Sequence, residues 1–230
     1  MTAAPTETIA CPACDQLQPF ESHTNLDIDQ QPELLDEIVA GDFRRLVCTR
    51  CAAEFAVEGE LLYTDLGRGW FIGVFPEARR SEALVLGQMI DALVDELLGQ
   101  LPAVHRERLS GLRRRVVFGL DELREKALCS VHDIDDHALE ALKLSLILRS
   151  PRMRRIAEPT LLLVDVDERA GDLVLGHLLP GQVRPQVIAI PRGVYTRSVD
   201  QRESWSTLYP LLVSQAYVHF SQCRPPTADG

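Results

Sequence analysis

The chain has 230 residues, 46% hydrophobic and 25% charged, an ordinary globular composition that excludes a disordered or fibrous protein. Its net charge is −10, and the whole excess lies in residues 1–78, with 14 Asp or Glu against 4 Arg, while residues 79–230 balance. That acidity disfavours a nucleic-acid partner for the first third, and no apolar run reaches the roughly 20 residues of a bilayer span.

Residues 1–10 read as a flexible tail with no secretory signal, which points to the cytoplasm. From Cys11 to Pro76 the texture is that of β-structure. Phe20 to Ile28 alternates loosely, Leu46–Cys48 and Phe55–Val57 are strand candidates, and Leu61–Tyr63 faces Trp70–Phe75 across an Asp65–Gly69 hairpin connection. One helix interrupts these strands: Pro32 suits its first turn, Leu34, Leu35, Ile38 and Val39 form its apolar stripe, and Gly41 stops it. Ser81 to Leu101 then carries apolar residues at three- and four-residue intervals and reads as a long amphipathic helix closed by Pro102. Val116–Phe118 is a short apolar piece, and Asp121–Leu128 and Asp135–Leu148 read as two further helices. A basic, proline-bounded segment over 151–159 separates these from three strands, Thr160–Val166, Leu173–Leu179 and Gln186–Ile190, split by Ala170-Gly171 and Pro180-Gly181 turns. The chain closes with a helix from about Glu203 to Ser221 that Pro210 must break or kink.

The chemistry concentrates in six cysteines, four of them in two Cys-x2-Cys pairs, Cys11/Cys14 and Cys48/Cys51. A two-residue spacer lets both thiolates of a pair turn onto one ion, and two such turns complete a tetrahedron. In a reducing compartment this pattern points to a four-cysteine Zn2+ site before disulfides or free thiols. Four thiolates leave no position for an activated water, so the expected role is a structural clasp and not catalysis. Cys129 reads as a buried hydrophobe and Cys223 as a spare thiol. Only Lys126 and Lys143 among the 24 basic residues are lysines, which reads as compositional bias.

Cys11-Pro12-Ala13-Cys14, Asp29 to Leu34, Gly41-Asp42-Phe43, Cys48 to Cys51, Glu54-Phe55 and Leu61 to Asp65 together resemble the CpXC domain family. The likeness extends loosely to about residue 148. It implies a zinc-ribbon-like bacterial or archaeal domain of uncharacterised role, which supports the metal and supplies no reaction. The second knuckle departs from the family by lacking its proline and the glycine after it: Ala52 stands where a left-handed turn costs an L-residue roughly 1–2 kcal/mol, whereas Asp15 tolerates the same turn better.

Two other constellations define rival functions. His132, Asp133, Asp135, Asp136 and His137 could hold a divalent ion in an enzyme, although aspartates before Ala138 suit helix capping. Arg113–Arg115 with Arg149, Arg152, Arg154 and Arg155 could serve a nucleic-acid-binding ribbon, although such clusters suit solvated helix ends. The expected fold class is α+β. A flexible tail (1–10) precedes a zinc-ribbon domain with an antiparallel sheet (11–78), a helical part of the same domain (79–150) and a C-terminal strand–helix unit (151–230). The expected function is a non-catalytic, zinc-stabilised interaction module whose partner is a protein, with no membrane involvement.

Overall fold

The computed structural model describes residues 5–156, 160–167, 169–178 and 186–223. The fold is α+β, and the chain forms two compact units that part between Leu123 and Arg124, earlier than the proline-bounded 151–159 segment.

The first unit opens with two small hairpins. β1 (Thr6–Ala10) pairs antiparallel with β2 (Leu17–Glu21), bringing Ala10 opposite Leu17. Residues 6–10, expected as a flexible tail, are therefore a strand. β3 (Asn25–Asp27) and α1 (Pro32–Ala40) follow, and then β4 (Arg45–Val47) pairs antiparallel with β5 (Glu54–Ala56). α1 starts on Pro32, buries Leu34, Leu35 and Ile38, and ends where Gly41 adopts φ 86° and donates its N–H to Glu37 and Ile38 carbonyls.

The larger sheet of this unit has the order β3-β6-β7-β8, with β6 (Leu61–Asp65), β7 (Trp70–Phe75) and β8 (Arg113–Phe118). β6 and β7 form the expected antiparallel hairpin, but the pairings β3–β6 and β7–β8 are parallel, so the sheet is mixed. The Val116–Phe118 piece is the buried end of β8. A 3-10 turn at Glu77–Glu82 leads into α2 (Ala83–Gly99), which lays Leu86, Ile90 and Val94 on β7 and β8. Gly73 permits that approach, because a Cβ there would stand 2.6 Å from the Ile90 side chain. Beyond Pro102 comes α3 (Ala103–Arg108), a short helix the apolar pattern does not signal.

The break between units falls inside α4 (Gly119–Val131). In the second unit α5 (Asp136–Arg149) is buried on most of its surface, and β9 (Thr160–Val166), β10 (Leu173–Leu178) and β11 (Gln186–Ile190) form an antiparallel sheet in the order β11-β10-β9. These strands fall where the apolar runs place them, whereas the Pro180-Gly181 turn lies outside the described residues. α6 (Arg192–Asp200) follows without a signal of its own, and the helix expected over 203–221 with a break or kink at Pro210 is α7 (Arg202–Leu208), α8 (Leu211–Ser214) and a 3-10 turn at Phe220–Cys223. Pro210 separates α7 from α8 as its missing N–H requires, and Pro191 opens α6. Among the described residues no helix is long and apolar enough to cross a membrane.

Candidate metal centre

The two knuckles are built alike. Cys11 follows the last residue of β1, its N–H reaches the Gln16 carbonyl at 2.9 Å, and its carbonyl accepts the Asp15 N–H at 2.9 Å. Cys48 follows the last residue of β4, its N–H reaches the Ala53 carbonyl at 2.8 Å, and its carbonyl accepts the Ala52 N–H at 3.0 Å. Each loop thus curls its second cysteine back beside its first. The Cys11 sulfur accepts the Ala13 N–H and the Cys48 sulfur the Arg50 N–H, both at 3.4 Å. The turn needs a residue at positive φ, supplied by Asp15 (57°) and Ala52 (56°), as the sequence anticipates. Ala52→Gly removes the steric cost of that conformation and is expected to raise stability by about 1 kcal/mol in the metal-loaded protein. Denaturant titration checks it, and a less stable variant would show that the turn carries no strain.

The sulfurs of Cys11, Cys14, Cys48 and Cys51 all lie within 4.8 Å of one another. Cys11 and Cys51 sulfurs are 3.8 Å apart, and those of Cys14 and Cys48 3.6 Å apart. A disulfide would need about 2.05 Å. A tetrahedron with metal–sulfur bonds of about 2.3 Å has edges of about 3.8 Å, so the donor set fits a four-coordinate thiolate ion. Four cysteines this close can bind a metal ion. Cys11 and Cys48 are buried, and the Gln18 amide oxygen joins the knuckles by accepting the Thr49 N–H at 3.3 Å.

The Cys48 and Cys14 thiols shift in opposite directions. Cys48 is pulled down to about 6, chiefly by the backbone N–H groups of Cys51 and Arg50 and then by neighbouring thiols. At Cys14 the Gln16 backbone acts downward, but burial and the other three thiols outweigh it and push the group up to about 12. Accumulating thiolate charge is what makes the last proton hard to remove, and a divalent cation supplies the missing positive charge.

Arg44 backs the second knuckle. Its guanidinium lies 5.7 Å from the centres of the Phe20 and Phe43 rings and donates to the His23 carbonyl, packing a cation into the core of the acidic third. Nothing in the sequence separates this arginine from its exposed neighbour Arg45.

The rival constellations take other shapes. Asp135 caps α5: one carboxylate oxygen accepts the Ala138 N–H at 3.0 Å and the other meets Arg202 at 2.5 Å. Asp136 pairs with Lys126 at 3.2 Å, and the His137 ring stands 3.7 Å from both carboxylates. Asp135, Asp136 and His137 are close enough to share an ion, and His132 and Asp133 stay outside that group. Burial opposes ionisation of Asp135, but His137, the Ala138 N–H and Arg202 outweigh it and hold the carboxyl well below the usual carboxylate range. A carboxyl depressed on folding contributes stability that is present above its unfolded value of about 3.9 and is lost as pH falls toward its folded one. Asp135→Asn keeps the cap but should therefore lower stability at neutral pH by the attraction lost to Arg202 and His137, and should flatten the loss of stability below about pH 4. Calorimetric titration of the wild type with Mn2+ and Mg2+ is expected to show no saturable binding. Binding that Asp135→Asn abolishes would instead make this cluster a metal site.

The basic cluster Arg113–Arg115 is not a free cationic face. Arg114 holds Asp95 at 2.7 Å and Asp91 at 3.6 Å, and Arg113 and Arg115 lie over the Trp70 ring at 5.0 and 5.9 Å.

The residues that sequence reasoning missed are the two lysines. Lys143, fully buried, donates to Glu125 at 2.5 Å and to Glu140 at 2.7 Å, and Lys126 donates to the Val218 carbonyl at 3.2 Å besides pairing with Asp136. The scarcity of lysine, read as bias, coincides with three buried ion pairs. Cys129 is buried beside them and its thiol is pushed well up by that burial.

Among known proteins, the family described as CpXC protein matches residues 9–143, more than half of the chain. An uncharacterized protein of Treponema pallidum (strain Nichols) is 23% identical over 214 residues, spanning 90% of this chain and 94% of that one. No solved structure matches the chain.

Proposed function

The chain belongs to the CpXC family, and from that premise we propose that Cys11, Cys14, Cys48 and Cys51 hold one structural Zn2+ in a non-catalytic protein-interaction module. The observation that carries the metal is the tetrahedral spacing of four sulfurs on two matched knuckles. Bound there, the ion closes its sphere with protein ligands, cross-links two hairpins and leaves no site for an activated water. A Zn2+ with four thiolates carries a formal charge of −2, which deepens the acidity of the first 78 residues. That acidity and the occupied state of Arg113–Arg115 favour a protein over a nucleic acid as partner. The proposed location is the cytoplasm, where thiols stay reduced and available to metal. Affinity purification of the full chain from its own cells tests the partner class. We expect a stoichiometric protein that survives nuclease treatment. Recovery of nucleic acid, or saturable binding of DNA or RNA at low salt, would transfer the assignment to the nucleic-acid reader.

A further inference from the structure

The second unit carries a groove of about 430 Å³ between α5 and the α6–α7 pair. Its walls are two helical faces: Leu142, Leu148 and Arg149 on α5, and Arg197, Trp205 and Leu208 on α6 and α7. Leu142 and Trp205 are buried, Leu208 is 70% exposed, and both arginines are exposed. Neither arginine has a side-chain partner among the described residues. A shallow trough about 12 Å long, from Ala141 to Arg149 at 1.5 Å per residue, with its apolar side chains interspersed with Ser145, Ser198 and Ser204 and unpaired cations beside it, suits an amphipathic helix bearing acid.

The chain displays such a helix. Opposite the face of α2 that packs on its sheet, Val85, Met89, Ala92 and Glu96 stand in one line at spacings of four, three and four residues. Val85 is 64% and Met89 48% exposed, large for apolar side chains on a helix with a buried face of its own. α2 contains no basic residue. Asp91 and Asp95 are taken by Arg114, whereas Glu96 is exposed and has no partner among the described residues. The apolar length from Val85 to Ala92, about 10 Å at 1.5 Å per residue, matches the trough.

We propose that α2 of one copy docks in the α5/α6–α7 groove of a second copy, Val85, Met89 and Ala92 on its apolar floor and Glu96 toward Arg149 and Arg197. The contact is head-to-tail, with different surfaces on the two copies, so it generates rings or chains. The inference rests on the interaction-module reading and names a second copy as the partner.

Sedimentation equilibrium of the zinc-loaded full chain at low salt, over a concentration series, tests it. Reversible association is expected, weakened at least tenfold by Arg149→Glu with Arg197→Glu, and equally by Glu96→Arg. Combining all three changes restores opposite charges across the contact and should recover the affinity. All three positions are exposed, and circular dichroism of each variant checks that the fold is kept. A monomer at every concentration, or association indifferent to these changes, overturns the proposal. Zinc content read on the same samples keeps that failure distinct from a failure of the metal assignment.

Discussion

Replacing Cys14 or Cys51 by Ser should abolish metal binding and unfold both knuckle hairpins while much of the second unit persists. β4 and β5 have three residues each and expose most of their surface, and β1 and β2 form another isolated two-stranded sheet. Two-stranded hairpins are marginal in water by themselves. Zinc binding to four thiolates is worth roughly 10–16 kcal/mol, as much as the roughly 5–15 kcal/mol by which whole domains are stable. On the proposed function, the ion would decide whether these hairpins exist. Chelation should act like the substitutions. Hydrogen exchange checks both, with protection over Leu46–Val57 expected to collapse on metal removal. Unchanged protection there, or full metal retention in either variant, would contradict the four-cysteine assignment.

A comparably large effect is expected far from the cysteines, at Lys143→Met. Glu125 accepts Lys143 on one carboxylate oxygen and also the Leu163 N–H at 2.6 Å, while Glu140 accepts Lys143 and, on its other oxygen, the Phe220 N–H at 2.9 Å. One lysine thus bridges the two carboxylates that fasten β9 and the Phe220 turn to α4 and α5. Burial pushes the Glu125 carboxyl up, against Lys143, and burial of Lys143 is outweighed by the two acids that hold its ammonium charged. Removing one partner from a buried pair costs roughly 3–5 kcal/mol, because the remaining charge is stranded in low dielectric. Lys143→Met should lower stability by that amount, read from exchange of the Leu163 and Phe220 amides. Adding Glu140→Gln removes one stranded charge and should restore part of the loss. A Lys143→Met protein as stable as wild type would mean that the network is solvated.

The legible parts of the molecule are those whose signal is local. The knuckles are legible because Cys-x2-Cys fixes a turn, and the left-handed positions at Asp15 and Ala52 follow from that turn alone. β9 to β11 and α1 are legible because apolar runs and their punctuation coincide with element ends. β1 is illegible because four of its five residues are exposed and only pairing with β2 makes it a strand. β8 begins with three arginines that look like a solvated cluster, and its parallel pairing with β7 is a long-range choice. α6 hides behind Pro191 and Gly193, both poor helix signals when read alone. The charge network is hidden for a different reason. Glu125, Lys126, Asp136, Glu140 and Lys143 sit at positions a surface helix would give to charge, and only tertiary structure shows that they face one another.

X-ray absorption at the zinc edge of the purified 230-residue chain reads the metal and its ligands themselves. One zinc per chain is expected, with a single shell of four sulfurs at about 2.3 Å and no oxygen or nitrogen neighbour. A mixed shell containing oxygen or nitrogen, or iron in place of zinc, would contradict the proposed zinc site.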